Sequence, residues 1–131
     1  MPVDWEHPGQ LWTGGGLHAL VVETTGAKTG ELRRAVLGYL EDGDDAWLII
    51  GSKGGAPRNP KWVYNLAAHP EATVVLADGA RVAVRAQRLD GDDLDRAWER
   101  IAVEAPEYIG YLSKTDRVIP VYRLRRARGA S

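Results

Sequence analysis

Apolar residues recur along this chain at two spacings, and the change from one to the other divides it into strands and helices. Ala19-Leu20-Val21-Val22 forms the centre of a strand expected from His18 to Thr25, followed by a turn at Gly26-Ala27-Lys28-Thr29-Gly30. A second strand is expected from about Arg33 to Leu40. Asp42-Gly43, with apolar runs on both sides, is a strong hairpin signal. Ala46-Trp47-Leu48-Ile49-Ile50 is the most apolar run and reads as a buried central strand.

Asn59-Pro60 then starts a helix, with asparagine as N-cap and proline at the first helical position. That helix ends by His69-Pro70, because the residue before proline is pushed out of helical geometry. Thr73 to Ala77 and Ala80 to Leu89 form a second hairpin around Asp78-Gly79. Val82, Val84 and Ala86 alternate there with Arg81, Arg85 and Gln87, so one face is buried and the other wet. From Asp92 the period becomes helical: Leu94, Ala97, Trp98, Ile101 and Ala102 make one apolar stripe. Asp92, Asp93 and Asp95 occupy its positive N-terminal turn. Pro106 interrupts, a short helical piece carries Tyr108, Tyr111 and Leu112, and Val118 to Leu124 is the last strand. Pro120 is allowed there only near an edge or a strand start.

Six strands joined mostly by hairpins, with helices that do not alternate with them, argue against a doubly wound parallel sheet. So many strands in 131 residues would expose edges unless they close. The expected fold is a small six-stranded antiparallel β-barrel with peripheral helices. It forms one domain over 1–131, with a flexible lead-in at 1–16 and a frayed basic tail at 125–131.

Composition narrows the chemistry. A net charge of −1 gives no global attraction to nucleic acid or membrane, and the absence of cysteine removes disulfides and thiolate chemistry. No signal region or membrane-length window is visible, so a soluble cytoplasmic protein is expected. Thirteen arginines against four lysines suggest a GC-rich bacterial genome.

Local charge is less even. Lys28, Arg33, Arg34, Lys53, Arg58 and Lys61 crowd into two glycine-containing loops that carry one acid, Glu31. The loop Gly51-Ser52-Lys53-Gly54-Gly55-Ala56-Pro57 follows the central strand and precedes a helix. Bare glycine amides, a lysine and a helix N-terminus together suggest a cradle for an anionic cofactor. Gly26-Ala27-Lys28-Thr29 is no P-loop, since Ala27 and Val22 stand where that motif needs glycine. The histidines lack metal-ligand spacing, and neither a G-x-S-x-G elbow nor a G-x-G-x-x-G fingerprint occurs. Trp62 and Asn65 share a helix face. They offer a flat wall and an amide to a planar ring, or equally a packed tryptophan and a solvated asparagine. Tyr108 and Tyr111, also three apart, are either substrate-facing hydroxyls or core-edge aromatics.

In order and spacing, five segments resemble the deazaflavin-dependent nitroreductase family over about residues 17–124. They are Thr24 to Gly30, Gly51 to Pro57, Asn59-Pro60-Lys61-Trp62-Val63-Tyr64-Asn65-Leu66, Pro106-x-Tyr108-x-x-Tyr111 and Thr115-Asp116-Arg117-x-Ile119-Pro120-Val121. The resemblance implies a split β-barrel that binds coenzyme F420, a deazaflavin with a phosphodiester and an oligoglutamate tail. It also implies hydride transfer to quinones, nitroaromatics or similar electron-poor compounds. By resemblance, Thr25, Lys28, Thr29, Arg33, Ser52, Lys53, Gly54, Gly55, Pro60, Trp62 and Asn65 would form the cofactor site. Within it, Lys28, Arg33 and Lys53 would hold phosphate and carboxylates, and Ser52 would meet the ring edge. Tyr108 and Tyr111 would face the substrate, with Ser52 or a tyrosine placing the proton; no metal is required. Ala27 stands where the family usually has arginine, and Ala105 where members active on nitroimidazoles often have a third tyrosine. A split barrel that binds FMN, and a non-catalytic carrier keeping the pocket, are the alternative readings. A homo-oligomer is compatible with either.

Overall fold

The computed structural model describes residues 18–43, 45–51, 58–112, 114 and 118–127. The expected roles of Ser52, Lys53, Gly54 and Gly55, and the segment Thr115 to Arg117, lie outside them. Among the described residues there are six strands, β1 (Ala19–Thr25), β2 (Leu32–Glu41), β3 (Ala46–Ile50), β4 (Glu71–Val75), β5 (Arg81–Arg88) and β6 (Val121–Arg126). Three helices accompany them, α1 (Lys61–Ala68), α2 (Gly91–Glu104) and α3 (Glu107–Leu112).

All the strand pairings are antiparallel, and the order β1-β2-β3-β6-β5-β4 closes on itself through the β1–β4 pair. Closure gives every strand a neighbour on both sides over at least part of its length, which shortens the edges that six such strands would otherwise expose. The two Asp-Gly hairpins form as expected, and Gly43 and Gly79 take φ values of +77° and +88° that a side chain would disfavour. The second turn is longer than the sequence suggested. β4 pairs with β5 only from Glu71–Arg85 to Val75–Arg81, and the Leu76 amide bonds the Ala80 carbonyl beyond that.

The period-2 alternation of the wall gives the molecule two apolar layers. Leu20, Val22, Ile49, Val84 and Leu124 fill the barrel interior, where Trp62, Val63 and Leu66 of α1 plug one end. Leu40, Leu48, Ile50 and Val121 face outward, and α2 and α3 cover them with Ala97, Ile101, Ala105 and Tyr108. Arg100 and Arg123 reinforce that outer layer. Arg123 Nε donates to Asp42 at 2.6 Å, and Arg100 Nη2 donates to the Glu41 carbonyl at 2.6 Å. Elsewhere on the wall Glu23 is buried, and its carboxylate is satisfied by Arg34 at 3.1 Å and by Arg81.

Two sequence expectations are corrected. The expected N-cap, Asn59, lies one residue too early: Pro60 is the cap, extended at φ −61° and ψ 153°, and no side chain caps the helix. Proline lacks an N–H and so suits either position; here the Pro60 carbonyl accepts from Val63 N–H at 3.0 Å, which starts the helix at Lys61. The last strand begins later and ends later than expected. Arg125 and Arg126, assigned to a frayed tail, pair with Ala46 and Val84, and Ala127 N–H bonds the Ala83 carbonyl at 2.8 Å. Barrel closure supplies partners on both sides, which keeps these arginines in the sheet.

Candidate active site

At one end of the barrel β1 finishes, β2 begins and α1 crosses. The β1–β2 turn is a closed unit: Gly26 N–H bonds the Glu31 carbonyl at 2.8 Å, and Gly30 N–H bonds the Gly26 carbonyl at 2.9 Å. Thr29 Oγ1 accepts from Glu31 N–H at 3.2 Å, so this hydroxyl shapes the turn. Lys28 stands exposed on the turn. Arg33, its side chain 52% exposed, lies 3.2 Å from Glu31 in an exposed ion pair that holds it only weakly. Arg58 and Lys61 are exposed before and at the start of α1.

Below the turn, Asn65 is buried and both ends of its amide are hydrogen-bonded. Oδ1 accepts from Ala27 N–H at 2.9 Å and Nδ2 donates to Thr24 Oγ1 at 3.1 Å. The solvated asparagine left open by the sequence is therefore excluded. Trp62 is 5% exposed, set edge-on to Tyr122 with ring centroids 5.8 Å apart at 69°. It packs into the barrel core. Thr25 is half-buried and Pro60 half-buried at the helix cap.

β2 is ten residues long and β3 five, and they pair only from Tyr39–Ile49 to Glu41–Trp47. From Leu32 to Gly38, β2 pairs with β1 alone among the described strands. Ala35 and Leu37, partly buried against the barrel core, lie along this stretch, and Tyr39 follows it where β3 begins to pair. Burial, and secondarily the Glu41 carboxylate, push the Tyr39 phenol above its ordinary value. The unequal strand lengths on the two sides of Asp42-Gly43 are the sequence signal for this edge.

Gly51 marks where the loop leaves β3. Its N–H bonds the Pro120 carbonyl at 2.8 Å. A Cβ there would lie 2.8 Å from Pro120 Cγ and 3.1 Å from Val63 Cγ2. Glycine is thus required by close approach, and the loop departs from a point held between α1 and the lead-in to β6. Ile50, one residue earlier, joins the outer layer that contains Tyr108. Tyr108 is buried and Tyr111 half-buried; their rings meet edge to face at 5.3 Å and 82°. Lys114 Nζ stands 5.4 Å from the Tyr111 ring centre. The structure thus brings Thr25, Lys28, Thr29, Arg33, Trp62 and Asn65 to one barrel end. It sets the tyrosine pair in the other layer, and the end of β3 contributes to both.

Comparison with known proteins follows the same lines. The family model for F420H(2)-dependent quinone reductase matches residues 7–125. The F420H(2)-dependent quinone reductase Rv1261c of Mycobacterium tuberculosis (strain H37Rv) is 41% identical over 111 residues, covering 82% of this chain and 73% of that protein. A solved structure of an F420-H2 dependent reductase (FDR-A) superposes with a TM-score of 0.73 at 32% identity, over 82% of this chain and 93% of that one. A structure described as a domain-swapped dimer gives 0.74 at 32% identity, over 86% and 87%. This chain belongs to the F420H(2)-dependent quinone reductase family.

Proposed function

We infer that this protein is an F420-dependent oxidoreductase that reduces a quinone, with nitroaromatics and other electron-poor compounds as further acceptors. Family membership over nearly the whole chain carries the reading. The chain's own residues fit the cofactor. Its multiply anionic arm needs accessible cations, and Lys28, Arg33, Arg58 and Lys61 are all exposed. Its flat ring needs apolar surface beside free backbone, and the β2 stretch that carries Ala35 and Leu37 is left unpaired by β3. When bound and reduced, the deazaflavin supplies a hydride from C5.

Lys28, Arg33 and Lys53 bind the phosphate and carboxylates of the arm. Ser52 and the Gly54 and Gly55 amides meet the ring edge, while Thr25, Thr29 and Pro60 shape the rim and Trp62 backs the slot from inside. Tyr108 and Tyr111 orient the acceptor. A quinone becomes a hydroquinone by gaining one hydride and one proton. The proton comes from Tyr111, Tyr108 or Ser52, with Tyr111 exposed enough to be reprotonated from water. The protein works in the cytoplasm, and a homodimer is consistent with the domain-swapped relative. Among the described residues no helix is long and apolar enough to cross a membrane.

Titration with F420, followed by protein fluorescence, is expected to saturate at micromolar cofactor, and no saturable change would overturn the reading. So would protein that purifies yellow and releases FMN. Lys53→Ala is expected to lose about 1.5–3 kcal/mol of cofactor binding, the range for a charge-assisted contact. Reduced F420 mixed with menadione should be oxidised; binding without oxidation would instead indicate a carrier.

A further inference from the structure

One buried side chain bonds the neighbours of two exposed cations, Lys28 on the turn and Arg33 on β2. Asn65, 7% exposed in the second turn of α1, reaches 38 residues back to Ala27 and 41 back to Thr24. Ala27 N–H can only donate, so Oδ1 must face it and Nδ2 must face Thr24 Oγ1; the amide has one orientation. Each partner is next to a cation. Ala27 immediately precedes Lys28, and Thr24 stands directly across the β1–β2 ladder from Arg33. Thr24 is itself 2% exposed, so no water competes for the bond. The turn is internally closed by the Gly26 and Gly30 hydrogen bonds. It therefore moves as a unit, and the Asn65 amide is what fixes that unit to α1.

We propose that Asn65 is a positioning residue. It sets Lys28 and Arg33 at a fixed place relative to α1, so that they meet the anionic arm without further ordering on binding. The proposal rests on the F420 reading. It predicts that breaking the clamp weakens recognition of the arm and spares recognition of the ring, because a loosened turn loses preorganisation while its cations remain. The departure at Ala27 fits this division of labour: the clamp uses the backbone N–H of residue 27, which any residue but proline would supply.

The test compares wild type, Asn65→Leu, Thr24→Val and Thr24→Ser. Two ligands are titrated: F420, and the corresponding deazaflavin that ends at its ribityl chain without phosphodiester or glutamates. Amide exchange at Ala27 is followed without ligand. Asn65→Leu and Thr24→Val are expected to lose about tenfold in F420 affinity, one hydrogen bond's worth, and to bind the armless compound as wild type does. Thr24→Ser, which keeps the hydroxyl, should restore F420 affinity. Ala27 exchange should accelerate in Asn65→Leu. Unaltered F420 affinity in the folded variants, equal loss for both ligands, or unchanged Ala27 exchange would each overturn the proposal. If Asn65→Leu does not fold, the Thr24 pair decides alone. Wild type that fails to bind F420 would refute the cofactor reading, and this proposal with it. Wild type that binds, with variants that bind equally well, would refute this proposal only.

Discussion

The barrel interior and the outer layer use the same strands and meet opposite demands. Inside, Leu20, Val22 and Ile49 are sealed by α1, whose buried face combines Trp62, Val63 and Leu66 with one polar member, Asn65. That polar member is where the sealed core touches the cation-bearing turn. Outside, Leu48, Ile50 and Val121 are covered by α2 and α3, with Tyr108 buried among them and Tyr111 half-buried at the margin. The inner layer thus joins α1 to the turn through buried bonds, and the outer one carries the tyrosines proposed to face the acceptor. Rigid placement suits a cofactor that is the same in every turnover. A partly open rim suits acceptors of differing shape.

Substitution in the two layers should separate these roles. Trp62→Ala should cost about 3–5 kcal/mol in denaturant unfolding and lower F420 affinity, because it empties the plug beneath the turn. Ile101→Ala in the outer layer is expected to cost about 2–5 kcal/mol with F420 affinity kept in the folded fraction. Equal effects of the two on affinity would break the comparison. Next in size, a Tyr108→Phe, Tyr111→Phe double variant should lower quinone turnover about a hundredfold at unchanged F420 affinity, if these hydroxyls deliver the proton. A stopped-flow trace of cofactor oxidation measures it, and wild-type turnover would return the proton to Ser52.

Where the layers meet, Gly51→Ala forces a methyl against Pro120 and Val63 and is expected to cost about 1–3 kcal/mol of stability. No loss would show that the end of β3 yields easily.

The smallest effect concerns Tyr39, whose phenol is raised above its ordinary 10.0 chiefly by burial and then by Glu41. Its folded pKa exceeds the unfolded one, so the native state holds the proton more tightly. The contribution is fully present below pH 10 and is lost as pH rises through the folded value. Tyr39→Phe should remove that alkaline fall in stability, measured by unfolding between pH 9 and 11 at intervals of roughly half a unit.

Much of this was legible in the chain. Asp42-Gly43 and Asp78-Gly79 name their own turns, because the backbone there needs glycine whatever surrounds it. Lys28 on its turn is equally local. The helix cap lies one residue beyond Asn59 because no side chain caps this helix, so the asparagine signal has no hold on its start. The start is fixed instead by the Pro60 carbonyl, which accepts from Val63 N–H. The reach of β6 to Arg126 was hidden for a similar reason: a run of arginines reads as solvated until β3 and β5 are seen on both sides. The bonds of Asn65 are not legible, because nothing within a few residues of it reveals Thr24 or Ala27.

The sequence by itself determined the strands, the hairpins, the amphipathic second helix, the basic turn and the motifs of its family. All of these are written in intervals shorter than about a dozen residues, where backbone preference and side-chain period act directly. Only the tertiary structure decided that β1 closes on β4, that β2 outruns β3, and that Asn65 spends its amide on the turn. Those outcomes join residues tens of positions apart, and they follow from filling one barrel while leaving no buried polar group unpaired.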